Sequence, residues 1–419
     1  MKTYEHALNV LLKVVEEGVP FNLAIKSSLK KEKKQVDYDF KSIISASAGC
    51  VLRHYYLFKE LFERKYQDQK EEKFLLFALG LGNHLFSKRI DEEELEKYIV
   101  KTSELPDIAD YYKSFNDTKK LIPEDIEYGS KKYNSLRYNL PMWIAGMWYK
   151  NAGELLFKRL LHSQVNYNQT ILRVNTDNIS VSDFLNKYSD FTLVDEKLGL
   201  VNYSEQKKLK KHQSIADGDA LYMPASYSYM CDELDLDPVR GIAIYGAGTN
   251  SLLDELYARL GVGFKADYLC GTQKHFFEVK DKIKKYGLTD IATYECDYKA
   301  IITCVSKPVH TFFLCPENSY FLGLVENPDY FLRCNQDDLD RFIQGEKESI
   351  LEVARYVEDG GNLVYFVPTF CRNEGKNIVH QFLRDNKDFV LVNEKQLFPF
   401  DKYQTMLYFA VLKKEVNND

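Results

Sequence analysis

Gly246-Ala247-Gly248 ends the apolar run Ile242-Ala243-Ile244-Tyr245, and a helical pattern of Leu252, Leu253 and Leu256 follows at once. Strand, glycine turn and helix in that order form the usual cradle for a nucleotide-type cofactor. The strand carries no acidic residue near its end, and no lysine follows the glycines. The turn can approach a ligand closely without naming which one. The eight cysteines are scattered, with no CxxC pair and no Cys/His cluster at zinc spacing. That usage points to reduced thiols in a cytoplasmic protein and to no metal site. The eight histidines form no Ser/His/Asp constellation.

Charge adds a second kind of chemistry. The net charge of −6 excludes a polycation, so a nucleic-acid site would have to be a local patch. Three lysine-rich stretches could contact phosphate or could simply be solvated loops: "LKKEKK" from Leu29, "GSKKYN" from Gly129 and "QKKLKKHQ" from Gln206. The last contains Lys207, Lys208, Lys210 and Lys211.

The elements that must position these groups fall into three blocks. Residues 1–125 read as all-helical. Leu8, Leu11, Leu12 and Val15 share one face, and Gly18 and Pro20 stop that helix. Glu5, Lys13, Glu16 and Glu17 interrupt the apolar pattern, so this start is an amphipathic helix and not a signal peptide. Phe40, Ile44, Val51, Tyr55, Phe58 and Phe62 recur at helical spacing around Ser45-Ala46-Ser47-Ala48-Gly49, as in one central bundle helix. His54 and His84 fall in buried patterns and read as core histidines. Residues 126–215 form a small α+β module containing both tryptophans, Trp143 and Trp148, which read as a packing pair. From 216 to 419, strands alternate with helices: 242–245, 266–269, 291–296, 310–315, 362–367 and 405–414. That is a doubly wound α/β domain, with Gly360 and Gly361 expected to cap the helix before the fifth strand. No stretch approaches the ~20 apolar residues of a membrane span.

"CVLRHYYLFKELFERKY", "LPMWIAGMWYKNAGE", "ILRVNT", "MPASYSYMCDELDLDP", "ENPDYFLR" and "ILEVARYVEDGGNLVYFV" occur in that order along the chain. In order and spacing they resemble the Sun/Fmu (RsmB-type) rRNA cytosine-5 methyltransferases, which join a NusB-like helical RNA-binding domain to a SAM-dependent methyltransferase. The resemblance covers essentially the whole chain. It implies a multidomain protein: an all-α NusB-like bundle, a small α+β connector, then a Rossmann-like class I methyltransferase domain.

The resemblance also implies a reaction. A cysteine thiolate attacks C6 of a flipped cytosine, C5 takes the methyl group from S-adenosylmethionine (SAM), and a base removes the C5 proton. In the family, the loops Asp-Ala-Pro-Cys and Thr-Cys-Ser supply the groups. Here the first loop reads "FFLCPENSYFLG", with Leu314 at the Asp position, Cys315 before Pro316 and Glu317 at the cysteine position. The second reads "LVYFVPTFCRNEGKN", with Pro368 at the cysteine position and Cys371 three residues later. Glu317 and Cys371 are the remaining candidates for catalysis. The family's cofactor loop has become Ile244–Leu253, without its Asp, Pro and Lys. Gly246, Gly248, Asn250, Cys270 (at the ribose-binding position) and Asp297 (near the adenine) are the candidate cofactor contacts. Arg137 and Arg333 lie in matching segments as candidate phosphate contacts or salt-bridge formers.

The expectation is therefore an RNA-binding protein of this family, partnered by ribosomal RNA or a ribosome-assembly intermediate, with SAM binding weakened or lost and catalysis impaired. Two alternatives stand beside it. One is an active SAM-dependent RNA methyltransferase with a remodelled site. The other is a protein-interaction scaffold with no RNA role.

Overall fold

The computed structural model describes residues 2–30, 38–67, 69–166, 170–203, 209, 212–246, 249–320, 327–400 and 405–416. The backbone divides into two compact units, Met1–Phe157 with Gly323–Gln336, and Lys158–Leu322 with Asp337–Asp419.

The first unit is helical: α1 (Thr3–Val15), α2 (Phe21–Leu29), α3 (Tyr38–Arg53), α4 (Tyr55–Lys65), α5 (Glu71–Gly82), α6 (Glu92–Ser103), α7 (Ile108–Lys113) and α8 (Lys131–Tyr138). It also holds the start of α9 (Met142–Asn166), which is broken at Gly153. α5 is the hub, since every residue from Phe74 to Gly82 is buried. At Gly80 a β-carbon would stand 2.6 Å from the Tyr112 ring, so glycine is what lets α7 pack this closely. The single helix expected over 40–62 is two helices that break at His54, whose φ/ψ of −124°/17° is not helical. Asn139 repairs the break. Its Oδ1 accepts the Tyr56 N–H at 3.2 Å and its Nδ2 donates to the Leu52 carbonyl at 2.7 Å, replacing the bond those two residues would share in a continuous helix.

The second unit contains α10 (Val181–Lys187), α11 (Gln213–Ala216), α12 (Ala225–Cys231), α13 (Asn250–Leu260) and α14 (Gln273–Tyr286). The chain then returns to the first unit for α15 (Tyr330–Arg333) before α16 (Gln336–Ala354) and α17 (Lys376–Asp385) complete the second. A four-stranded antiparallel sheet is built from β1 (Thr170–Val174), β2 (Phe191–Asp195), β3 (Leu200–Tyr203) and β4 (Ala220–Leu221), in the order β2-β3-β1-β4. The larger sheet has β5 (Ile242–Gly246), β6 (Ala266–Cys270), β7 (Ile291–Glu295), β8 (Val309–Cys315), β9 (Val357–Val367), β10 (Phe389–Leu397) and β11 (Leu407–Lys414). Its order is β10-β11-β9-β8-β5-β6-β7. β5 to β9 are parallel, and β11 runs antiparallel to both of its neighbours.

Two details differ from the sequence reading. β10 is a seventh strand that the pattern did not announce, because it is an edge strand with mostly exposed or half-buried side chains. Gly360 and Gly361 do not cap α16, which ends at Ala354; they lie inside β9. Gly360 has φ +76°, and a β-carbon on Gly361 would stand 2.7 Å from the His310 carbonyl oxygen. The glycines thus serve the register irregularity where β9 leaves Val309 and rejoins at Thr311.

Candidate functional site at the carboxyl edge of the large sheet

The strand order reverses between β5 and β8, and ligands of doubly wound sheets bind outside the carboxyl ends of the strands at such a point. Here the two ends meet tightly. Gly246 has φ +114°, and a β-carbon on it would stand 1.7 Å from the carbonyl oxygen of Cys315. Glycine is required at this position by the neighbouring strand, whatever the turn may hold. Below the turn, the Thr249 hydroxyl donates to the Gly246 carbonyl at 2.9 Å and accepts from the Tyr268 hydroxyl at 2.7 Å. His275 Nε2 lies 3.4 Å from the same Thr249 oxygen. Asn250 donates its side-chain amide to Glu278 at 3.0 Å, and its backbone carbonyl accepts from Lys282 at 2.9 Å. Gly248 lies outside the described residues.

At the end of β6, Cys270 is buried, and burial pushes its thiol up to about 12. Its carbonyl accepts the Cys296 N–H at 2.9 Å. Asp297, exposed after β7, accepts the Lys299 N–H at 2.9 Å and so caps the 3₁₀ turn Tyr298–Thr303. Tyr245 reaches across this region. Its hydroxyl accepts the Tyr298 N–H at 3.1 Å and lies 3.4 Å from where a Gly271 β-carbon would stand. Burial first, then the Asp297 carboxylate, raise its pKa, so the phenol stays protonated.

The loops after β8 and β9 hold the candidate catalytic residues. Glu317 is exposed, whereas Cys315 and Cys371 are buried. Burial raises both thiols strongly, and the Glu374 carboxylate adds to the effect at Cys371. A thiolate is the nucleophilic form of cysteine, and these surroundings oppose it. Between the two loops sits a pair of buried acids. Glu374 accepts the Ser319 N–H and hydroxyl, both at 2.7 Å, and the Thr369 hydroxyl at 3.2 Å. Glu346 on α16 is fully buried, and neither carboxylate oxygen has a hydrogen-bond partner. Burial and the nearby Glu374 raise its pKa well above the ordinary glutamate range. Burial raises the Glu374 pKa as well, while the hydrogen bonds from Ser319 and Thr369 oppose that rise, so Glu346 holds its proton the more tightly of the two.

Sequence reasoning passed over Glu346, Glu374, Ser319 and Tyr245. A signal for Glu346 was present: it falls on the apolar stripe of α16, between Leu339 and Ser349-Ile350-Val353. Of the candidate phosphate contacts, Arg333 is held in an ion pair with Asp329 at 2.7 Å. That carboxylate also accepts the Phe21 N–H at 3.0 Å, tying α15 to α2. Arg137 is exposed and has no ion pair among the described residues. Lys207, Lys208, Lys210 and Lys211 lie outside the described residues. Trp148 is buried and packs edge-on against Phe331. Among the described residues no three His, Cys, Asp or Glu side chains are grouped to hold a metal, and no helix is long and apolar enough to cross a membrane.

No family model matches the sequence, and no curated protein matches it. Solved structures do. The chain is similar to the crystal structure of PH0851, at 14% identity over 98% of both chains and a TM-score of 0.71. It is similar to a methyltransferase homolog protein from Pyrococcus horikoshii, at 18% identity, covering 67% of this chain and 97% of that one, with a TM-score of 0.57. NSun6 from Pyrococcus horikoshii, solved with SFG, matches at 10% identity over 70% of this chain and 99% of its own, with a TM-score of 0.54. The fold is that of these methyltransferase structures: a helical amino-terminal part followed by a Rossmann-like seven-stranded sheet.

Proposed function

We propose that this chain is an RNA-binding protein of the rRNA cytosine-5 methyltransferase lineage whose methyltransferase-type domain has lost cofactor-dependent methyl transfer. The observation that carries the proposal is the rebuilt crevice at the β5/β8 reversal. Tyr245 spans from Gly271 to Tyr298, a buried thiol stands at Cys270, and Gly246 is packed against Cys315. These residues do not fit SAM in the way the sequence resemblance implies. A buried thiol offers a ribose no carboxylate acceptor, and one oxygen of the Asp297 carboxylate is engaged in capping its own turn. Burial also opposes the thiolate form of Cys315 and Cys371.

Support for RNA as the partner comes from the ordered sequence resemblance along the whole chain and from its local basic stretches, the lysines at 207, 208, 210 and 211 among them. The fold likeness to methyltransferases is compatible with it.

The test is incubation of the full chain with ribosomal RNA and methyl-labelled SAM, scoring retained RNA and transferred label separately. Salt-sensitive RNA retention without label is expected. Label incorporated into RNA would establish an active enzyme instead, and no RNA retention would favour a protein scaffold.

A further inference from the structure

Three features of the helical unit converge at His54. The first is the α3–α4 break, held open by Asn139. Because Arg137 is two residues before Asn139, the same amide fixes the end of α8 beside the break. The second is a π-helical turn, Asn83–Ser87, which directly continues α5. Turns of this kind occur often at functional sites. Asn83 locks it, donating to the Ile90 carbonyl at 2.9 Å and accepting the Arg89 and Ile90 N–H groups at 3.1 and 3.0 Å. The turn presents Phe86, 36% exposed, with its ring stacked on His54 at 4.4 Å and 20°. The third is a pair of exposed arginines, Arg53 and Arg137, close enough that both depress the His54 pKa.

The imidazole is thus neutral at physiological pH: burial first, then the two guanidinium groups, bring it to about 4. Among the described residues neither arginine has an ion-pair partner. Of the acids that follow the π-helical turn in sequence, Glu92 pairs with His84 at 2.8 Å and Asp91 accepts the Glu94 N–H at 2.9 Å. Two flat rings in a stack, one of them about a third exposed, with two exposed arginines on the adjoining helix ends, match the chemistry of an unpaired base and its flanking phosphates. An acidic protein would use the arginines but has no need of the stacked ring.

We propose that the His54–Phe86 stack, flanked by Arg53 and Arg137, is a site for single-stranded RNA, with a base stacking on the exposed side of Phe86 and adjacent phosphates on the two arginines. The site rests on the RNA-binding function proposed above and gives it a location.

The test uses fluorescence anisotropy of an unstructured single-stranded RNA with the full chain over a salt series. Phe86→Leu should weaken binding about ten-fold with the salt slope unchanged, while Phe86→Tyr should bind as wild type. Arg53→Gln with Arg137→Gln should weaken binding and flatten the slope by about 1.4, two phosphate contacts' worth. Unchanged affinity in Phe86→Leu, with an unchanged thermal melt, overturns the site and leaves RNA binding elsewhere on the chain intact. A wild-type chain that binds no RNA overturns both. Loss only in the arginine variant, or equal competition by an acidic polypeptide, marks a general anion surface and also overturns the site.

Discussion

Gly246 and the Cys315 carbonyl oxygen approach so closely that a β-carbon would stand 1.7 Å from that oxygen. The first glycine of the turn therefore secures the junction of β5 with β8. Gly246→Ala adds both that overlap and the strain of φ +114° in a residue with a side chain. A loss of about 3 kcal/mol or more in unfolding free energy is expected. Urea titration measures it, and a neutral result would show that the turn has room to spare.

The acid pair sets a pH dependence. The Glu346 pKa is higher in the folded chain than in the unfolded one, so the folded state holds the proton more tightly. The stability this gives is fully present below the unfolded glutamate value of about 4.3 and is lost as pH rises towards the folded-state value. Glu346→Gln stays neutral throughout. It should be more stable than wild type at neutral pH and should show a shallower decline above pH about 5, the Glu374 share remaining. Thermal melts of both proteins between acidic and neutral pH decide it, and a less stable variant at pH 7 would mean that the carboxylate has a partner.

Burial raises the Glu374 pKa too, but unlike Glu346 this carboxylate has donors around it. It accepts from the Ser319 backbone and hydroxyl and from Thr369. Glu374→Gln turns an amide towards some of those donors and should cost about 2–3 kcal/mol. Retained stability in a chemical melt would argue against the ionised form.

Thiol chemistry gives a separate check. Cys270, Cys315 and Cys371 are buried, while Cys304 is half-buried. In the native chain a maleimide should modify Cys304 ahead of the other three, as followed by mass spectrometry. A 5-fluorocytosine RNA should form no covalent adduct. An adduct that Cys371→Ser abolishes would restore that residue as a nucleophile.

Asn139→Ala removes both bonds that bridge the α3–α4 break and places alanine at φ +54°. A loss of about 2–3 kcal/mol is expected from the unpaired backbone groups and the left-handed conformation. Asn139→Gly should recover only the conformational part. Equal stabilities for all three proteins would show that water replaces the amide.

Much of this architecture was legible from side-chain periodicity. Alternating and continuous apolar runs located β5, β6, β8 and β11, and the helical stripes located α1 and α14. What escaped depended on groups far apart in sequence. The break at His54 follows from Asn139, some eighty positions on, so the pattern over 40–62 reads as one uninterrupted helix. Gly246 looked like a ligand-binding glycine because only the fold brings Cys315 against it. The motif residues at the strand ends were assigned by the family resemblance. That Cys270 is sealed in, that Asp297 caps its own turn and that Tyr245 bridges to Tyr298 required the packed structure. Arg137 and Arg333 were equivalent as sequence. Asp329 pairs with Arg333, whereas Arg137 is exposed.

The most direct test of the proposed loss of cofactor-dependent chemistry is a calorimetric titration of the full chain with SAM, using Asp297→Ala as control. With the crevice rebuilt around Tyr245 and Cys270, no saturable heat is expected up to about 1 mM SAM, weaker than about −4 kcal/mol. One-to-one binding in the micromolar range, abolished in Asp297→Ala, would contradict it and identify the chain as a working cofactor-binding enzyme.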